Sequence, residues 1–407
     1  MTMAPARRRL AAQWFLLIVA YYPLLNWLIR KADLPFSTLW EEAVLGVFLL
    51  GALLSGHRKL MSLLTSPVVL TGLLFGAAAV FSFAVNSYYV GAFIHEARLA
   101  FEPFMAFVIL WLLVDDRPTE LLRWTLPHLI AAGSIVAAIG VLQYVRKVPV
   151  PAQWLDKDTE SGIISTRAFS LFGSPNVLAG YLETIVPLGL YASLAESRPL
   201  RRAGFVVCTV VLGSGLLLTL TRAAWLSTAG AFFVGFFLLR PWLGAGFAAV
   251  ASVLVLAVPT FRLRMSTLLS SEYIDKSNNL GRLFRWRQAF VNVMGHPLLG
   301  SGLGTFGGSA AQKYGYFTGI SMDSVWIRVL AETGILGFAS YLAWFASAFA
   351  SVAARYFRTR DRLWLFTSIG LLALLVKLFT DNLLDSWAIS LLAWSLFALG
   401  AIPESQA

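Results

Sequence analysis

Three arginines, Arg282, Arg285 and Arg287, fall within six residues in the longest polar stretch of an otherwise apolar chain. A guanidinium is planar, stays protonated and grips phosphate or carboxylate oxygens in pairs, so such a cluster suits an anion. The stretch closes on Asp323, just before the hydrophobic pattern resumes. From about Asn279 to Gly337 it reads as an anion-binding loop outside the membrane that carries the chemistry. Two more cations have suggestive settings. Arg222 sits with Thr221 between two apolar runs, 203–220 and 223–239, each one span long, and so at the tip of a tight helical hairpin. There it either snorkels at the interface or is a fixed cation aimed into an outer cavity. Arg167 enters an apolar stretch that ends in Gly173-Ser174-Pro175-Asn176, where Ser174 can cap a helix with proline in its first turn.

The elements that hold these residues follow from composition. Of 407 residues, 58% are hydrophobic and 13% charged, unlike a soluble globular protein. The apolar residues come in about twelve runs, from 10–29 to 386–402, mostly near the ~17–25 residues that cross a hydrocarbon core as helix. They lack strand alternation, and helices satisfy their own backbone groups in lipid. The expected fold is an all-α, polytopic membrane helix bundle of about 12 transmembrane helices. It forms a single integral membrane domain over 1–407, with outer loops at 146–174 and, between spans 9 and 10, at 259–324.

Arg7, Arg8 and Arg9 precede the first run and place the N-terminus in the cytoplasm; twelve crossings return the C-terminus there. The two outer loops are nevertheless rich in Lys and Arg. Long translocated loops escape the charge rule, and an anionic ligand accounts for their cations. A net charge of +11 without a basic tail or soluble basic domain points to membrane lipids and anionic lipid-linked substrates, not to nucleic acid. A single cysteine, Cys208, lies in an apolar run, and His57, His95, His128 and His296 are scattered. Neither pattern offers a metal site.

Within the large loop, helical spacing from Leu280 puts Leu283, Phe284, Phe290, Val291 and Met294 on one face. Arg282, Arg285, Gln288 and Asn292 fall on the other, as in an amphipathic helix lying on the bundle. Arg287 interrupts the apolar stripe and is expected to point down into protein. His296-Pro297 ends the helix, and Gly300, Gly302, Gly304, Gly307 and Gly308 form a loop where backbone can approach a phosphate closely. Asp323 and Ser324 can both cap the span that begins at Val325. Arg328 and Glu332 share a helix face and can pair. Glu183, two turns into the helix from Pro175, needs a partner or a cavity. Asp156 to Glu160, and Asp381 with Asp385, read as solvated turns.

Taken in order, these pieces resemble the O-antigen ligase and O-antigen polymerase family of bacterial surface polysaccharide assembly. The matching pieces are Arg167-Ala-Phe-Ser-Leu-Phe-Gly-Ser-Pro-Asn176, Leu220-Thr-Arg222-Ala-Ala-Trp225, Gly281-Arg282 leading to Trp286, His296-Pro-Leu-Leu-Gly-Ser-Gly-Leu-Gly304 and Leu330-Ala-Glu332-Thr-Gly-Ile-Leu-Gly337. The resemblance implies a glycosyltransferase that needs neither metal nor nucleotide. Such an enzyme moves a glycan from undecaprenyl pyrophosphate to an acceptor hydroxyl of a glycan or lipid, on the outer face of the inner membrane. Arg222 and Arg282 match the family's arginines. The family's ligases carry a histidine shortly before the Glu-Thr-Gly motif, where Ser321-Met322-Asp323-Ser324 stands here. That difference favours a polymerase, or a divergent ligase, over a lipid A-core ligase, and it makes Asp323 the candidate base. The expected catalytic residues are Arg222, Arg282 and Asp323, with Arg167, Asn176, Arg285, Arg287, Arg328 and Glu332 holding diphosphate or glycan and no cofactor. A flippase is the competing class, but it calls for charges deep in several spans and paired repeats.

Overall fold

The computed structural model describes residues 5–404 apart from 34, 36, 152–165, 267–269, 280 and 317–321. The expected turn at Asp156 to Glu160 therefore lies outside the described residues. The described elements are all helices. α1 (Pro5–Lys31), α2 (Trp40–Gly56) and the short α3 (Leu60–Leu64) lead into α4 (Pro67–Asn86). Then come α5 (Val90–Phe101), α6 (Met105–Leu113) and α7 (Pro118–Val145), followed by α8 (Pro175–Ala195), α9 (Pro199–Leu218), α10 (Arg222–Leu239) and α11 (Pro241–Ala257). The polar segment holds α12 (Pro259–Ser266), α13 (Ser271–Asn279), α14 (Arg282–Gly295) and α15 (Ser309–Lys313). α16 (Val325–Thr359), α17 (Arg362–Lys377) and α18 (Trp387–Ala401) complete the chain.

Among the described residues, eight helical stretches are long and apolar enough to cross a membrane: α1, α2 continued through α3, α4, α7, α8, α9, α10 and α16. α11 and α18 are shorter apolar helices. The run at 99–114 is not one span. It breaks at Glu102 and Pro103, whose ring nitrogen cannot donate, and α6 is 9 residues long. Starts are marked as the sequence suggests: Ser66 and Ser174 cap α4 and α8 with their side chains, each followed by proline in the first turn.

The interior is aromatic where α4, α6, α16 and α18 meet. Trp344 and Trp394 lie 4.8 Å apart, as do Phe104 and Trp394, and Phe75 and Tyr341. Gly72 leaves room for the Trp344 indole. Outward faces are apolar as well: Leu73 and Leu74 on α4, and Val207 and Val210 on α9, are exposed. Apolar surface of this kind is unfavourable in water and neutral against lipid chains.

The feature that positions the site is a break in α16. Gly334 has φ +64° and ψ −167°, in a region open essentially to glycine alone. In an unbroken helix the amides of Ile335 and Leu336 would bond the carbonyls of Ala331 and Glu332. Instead the 297–302 loop is inserted between them. Ser301 N and Gly302 N donate to the Ala331 and Glu332 oxygens (3.1 and 2.8 Å). Ile335 N and Leu336 N donate to the Pro297 and Leu298 oxygens (2.9 and 3.3 Å). The end of α4 takes up further loop carbonyls: Ser82 Oγ donates to Leu299 O (2.6 Å), Asn86 Nδ2 to Gly300 O (3.1 Å) and Tyr88 Oη to Leu303 O (2.7 Å). The loop glycines thus admit protein, not a phosphate. Gly300 lies against the Glu332–Thr333 backbone, Gly302 against the Tyr88 ring and Gly308 against Arg328.

A side chain at position 334 meets both the forbidden φ and the Leu298 carbonyl. Gly334→Ala should cost about 1–3 kcal/mol, read as a lowered unfolding temperature in detergent. Gly295→Ala, which meets nothing within 4 Å, should leave that temperature unchanged or raise it slightly.

Candidate functional site

α14 is seated against the first turns of α16. Ala289 is buried with Met322 and Ala331, and Trp286, Val293, Phe306 and Ile327 pack around them. Asn292 Nδ2 donates to Ala331 O and to Ser301 Oγ, both at 3.0 Å. The small pair Ala289 and Ala331 allows this close approach, so the helix presents its mixed face, not its apolar stripe, to the bundle. Leu283, Phe290, Val291 and Met294 are exposed. Arg287 is exposed beside them, which corrects the expectation that it points down into protein.

This seating aims two arginines at Asp323. Arg285 Nη1 lies 2.7 Å from its Oδ2, and Arg282 Nε lies 3.6 Å from the same oxygen. The cap of α16 is Ser324, whose Oγ accepts from Ile327 N (3.3 Å), while Val325 N donates to Leu378 O (3.1 Å) at the end of α17. Asp323 is thereby relieved of capping. Burial lifts its carboxyl above the usual aspartate range, and Arg285 and Arg282 pull it only part of the way back.

The second half of the site is built on the starts of α8 and α10. Arg167 Nε donates to Thr219 O (2.9 Å), and its Nη2 donates to Asn176 Oδ1 (3.3 Å) and Thr221 Oγ1 (3.1 Å). Thr221 Oγ1 in turn donates to Asn176 Oδ1 (3.2 Å). Arg222 is the first residue of α10, half-buried. One turn further on, Ser227 Oγ donates to the buried Glu183 (2.7 Å), the partner that this carboxylate required. Asn176 Nδ2 donates to Asp381 Oδ1 (2.7 Å), and Lys377 Nζ lies 2.9 Å from Asp381 Oδ2. Asp381 follows Leu378 by three residues, and the Leu378 carbonyl takes the Val325 amide, which joins the halves. The N-termini of α8, α10, α14 and α16 consequently gather at one end. The residues before α10 and α14, Thr221 and Gly281, give no side-chain capping bond to the helices they precede. Their first-turn amides and helix dipoles add positive potential where the arginines stand.

Arg328 and Glu332 lie beneath this surface, fully buried, and do not form the ion pair expected of them. Arg328 pairs with Glu96 and, at 3.5 Å, with Asp385. Glu332 accepts from Phe306 N (3.1 Å) in the glycine loop. They brace the inserted loop against α5 and the last turn. Two further expectations change with them: Asp381 is buried in a charge pair, and Asp385, still partly exposed, stands 3.5 Å from Arg328. Sequence reasoning missed Lys377, Asp381 and Glu96. The first two carried a signal, a cation and a carboxylate four residues apart at the end of an apolar run. Glu96 carried none, because its partner is 232 positions away in the chain.

Residues 207–342 match the model of a family described as O-Antigen ligase. The matched region runs from α9 into α16, so Arg222, the arginine helix, Asp323 and the Gly334 break all lie within it. No curated protein matches the chain. The match covers about a third of the chain and supports the family resemblance read from the ordered motifs, in a chain whose helices are long and apolar enough to cross a membrane.

Removing one member of a buried pair strands the other charge. Asp381→Ala should destabilise the protein by about 3–5 kcal/mol, measured as lost thermal stability of purified protein. Pairing it with Lys377→Met should recover part of that loss.

Proposed function

We propose that this protein moves a glycan from undecaprenyl pyrophosphate to an acceptor sugar hydroxyl, acting as a polysaccharide polymerase on the outer face of the cytoplasmic membrane. The observation that carries this reading is the convergence of Arg282 and Arg285 on Asp323, at the end of the bundle that also presents Arg222 and Arg167. α11, α17 and α18, with α5 and α6 as one crossing broken at Pro103, would complete the expected twelve, with both termini cytoplasmic.

The chemistry follows from the leaving group. A glycosyl diphosphate departs as a stable anion, so no general acid is required and the bond energy resides in the donor itself, without a nucleotide. What lowers the barrier is fixed positive charge placed where negative charge grows on the diphosphate. Arg222, at the amide-rich start of α10, and Arg282, at the start of α14, take that role. Arg285, Arg167 and Asn176 hold the diphosphate or the first sugar, and Arg287 stands outside as an electrostatic guide. As the diphosphate enters, its oxygens compete with Asp323 for Arg285 and Arg282. The released carboxylate, with its raised proton affinity, is then the base for the acceptor hydroxyl. Arg328 and Glu332 act as positioning residues through the glycine loop.

The family description favours one other reading, a ligase that delivers the glycan to lipid A-core or a similar acceptor. Product analysis separates the two: a polymerase lengthens undecaprenyl-linked glycan, and a ligase transfers it to a different molecule.

Purified protein in lipid, given lipid-linked glycan without metal or nucleotide, should catalyse transfer. Arg222→Ala and Arg282→Ala should each lower the rate about 10²–10³-fold, with lysine restoring only part because it lacks the bidentate fork. Full activity in either alanine variant rejects the mechanism. Because Asp323 works deprotonated and its affinity for protons is raised, the rate should fall on acidification at a pH above that of an ordinary aspartate. Asp323→Asn should be slow and lose this acid limb.

A further inference from the structure

A second cavity, of about 640 Å³, adjoins the site. One wall is the turn before α18, including Asn382 and Trp387; another holds Phe172 and Val177 at the entry to α8; the third is the end of α1, with Asn26, Trp27 and Arg30. Val177 and Asn382 are the chain neighbours of Asn176 and Asp381, which bond each other at 2.7 Å. The cavity thus lies one residue along the chain from that bond on both sides. Its volume lies within the ~300–1,000 Å³ range of small-ligand pockets.

The lining has the chemistry of a sugar site. Trp27 is 39% exposed, and the Lys31 ammonium stands 4.7 Å over its ring and steadies it. An aromatic ring of this kind packs on the C–H face of a pyranose. Planar polar groups are set around it. Asn26 Oδ1 accepts from Arg30 Nε (2.8 Å) and Trp40 Nε1 (3.3 Å), which fixes the amide and leaves its Nδ2 to donate. Asn382 Nδ2 donates to Asp385 (2.7 Å), while its Oδ1 is buried without a donor. The charges are mixed: Arg30 and Lys31 stand with Glu41 and Asp385, so a diphosphate is disfavoured here and favoured at the arginines. The amide and charged groups set among the apolar residues of the lining also disfavour an acyl chain.

We infer that this cavity is a saccharide subsite, which holds sugar units of the acceptor glycan beside the arginine site with Trp27 as its platform. This rests on the glycosyl-transfer reading for its role, while binding is tested separately. The probe is the glycan of the lipid-linked donor, released from its lipid by mild acid and titrated calorimetrically into the full-length protein in nanodiscs. Wild type should bind it. Trp27→Ala should weaken binding, and raise KM for acceptor, about tenfold with kcat little changed. Trp27→Phe should restore most of both, and Asn26→Ala should weaken both. Arg282→Ala should slow transfer about 10²–10³-fold and keep saccharide binding. Trp242→Ala, on a separate helix outside this cavity, should change neither. If wild type transfers glycan while Trp27→Ala and Asn26→Ala leave binding and KM unchanged, the subsite is overturned and the transferase stands. If wild type binds saccharide yet transfers nothing, the transferase reading falls and the subsite survives. Absence of binding by wild type overturns the subsite outright.

Discussion

The structure depends on the exchange of hydrogen bonds at Gly334. Breaking a membrane helix frees amides and carbonyls that lipid cannot satisfy, and each costs several kcal/mol if left bare. Here the loop at 297–302 takes the place of the missing turn, donating to Ala331 and Glu332 and accepting from Ile335 and Leu336. The positions of the candidate site residues follow. The loop is pinned, so Ser301 and the Ala331 carbonyl are in place for Asn292, and Asn292 holds α14. α14 then carries Arg282 and Arg285 to Asp323. The first turns of α16, freed from the axis of the remainder, are tied to α17 at Leu378 and to α5 through Arg328.

Charge burial obeys the same constraint. Glu183, Glu96, Arg328, Glu332, Lys377 and Asp381 are all buried, and isolated charges in such surroundings would be prohibitive. Each has a partner nearby: Ser227 for Glu183, Arg328 for Glu96, the Phe306 amide for Glu332, Asp381 for Lys377. The sequence suggested that deep charges were absent, which argued against a flippase. Deep charges do exist, but they close locally on one another and brace the glycine loop and the α17–α18 turn. That arrangement serves a fixed site better than a moving substrate path.

Patterns confined to one segment were legible in the sequence. The apolar runs, the Ser174-Pro175 start of α8, the helix start at Arg222 and the end of α14 before His296 all follow from local rules of length, capping and turn chemistry. The ordered motifs likewise pointed to a family before any contact was known. The orientation of α14 was not legible. Its apolar stripe made Leu283, Phe290 and Met294 the expected buried face, whereas Ala289 is the buried residue and Trp286 and Val293 pack beside it. The stripe reflects only how strongly each side chain avoids water. Which face is buried depends also on the groove that receives the helix, and that groove is built by α16 and the glycine loop.

The sequence by itself determined that this is a helical membrane protein with a polar, arginine-rich segment suited to an anion, since span length and charge placement are properties of the chain alone. Tertiary structure decided what the individual residues do. It made Ser324 the cap and left Asp323 to the arginines, sent Arg328 to Glu96 and away from Glu332, and turned the glycine loop from a phosphate cradle into the splice of a broken helix. These outcomes depend on which groups meet across long separations in the chain. In a low-dielectric interior the partner that arrives, and not the residue type, sets whether a charge binds substrate or holds the fold.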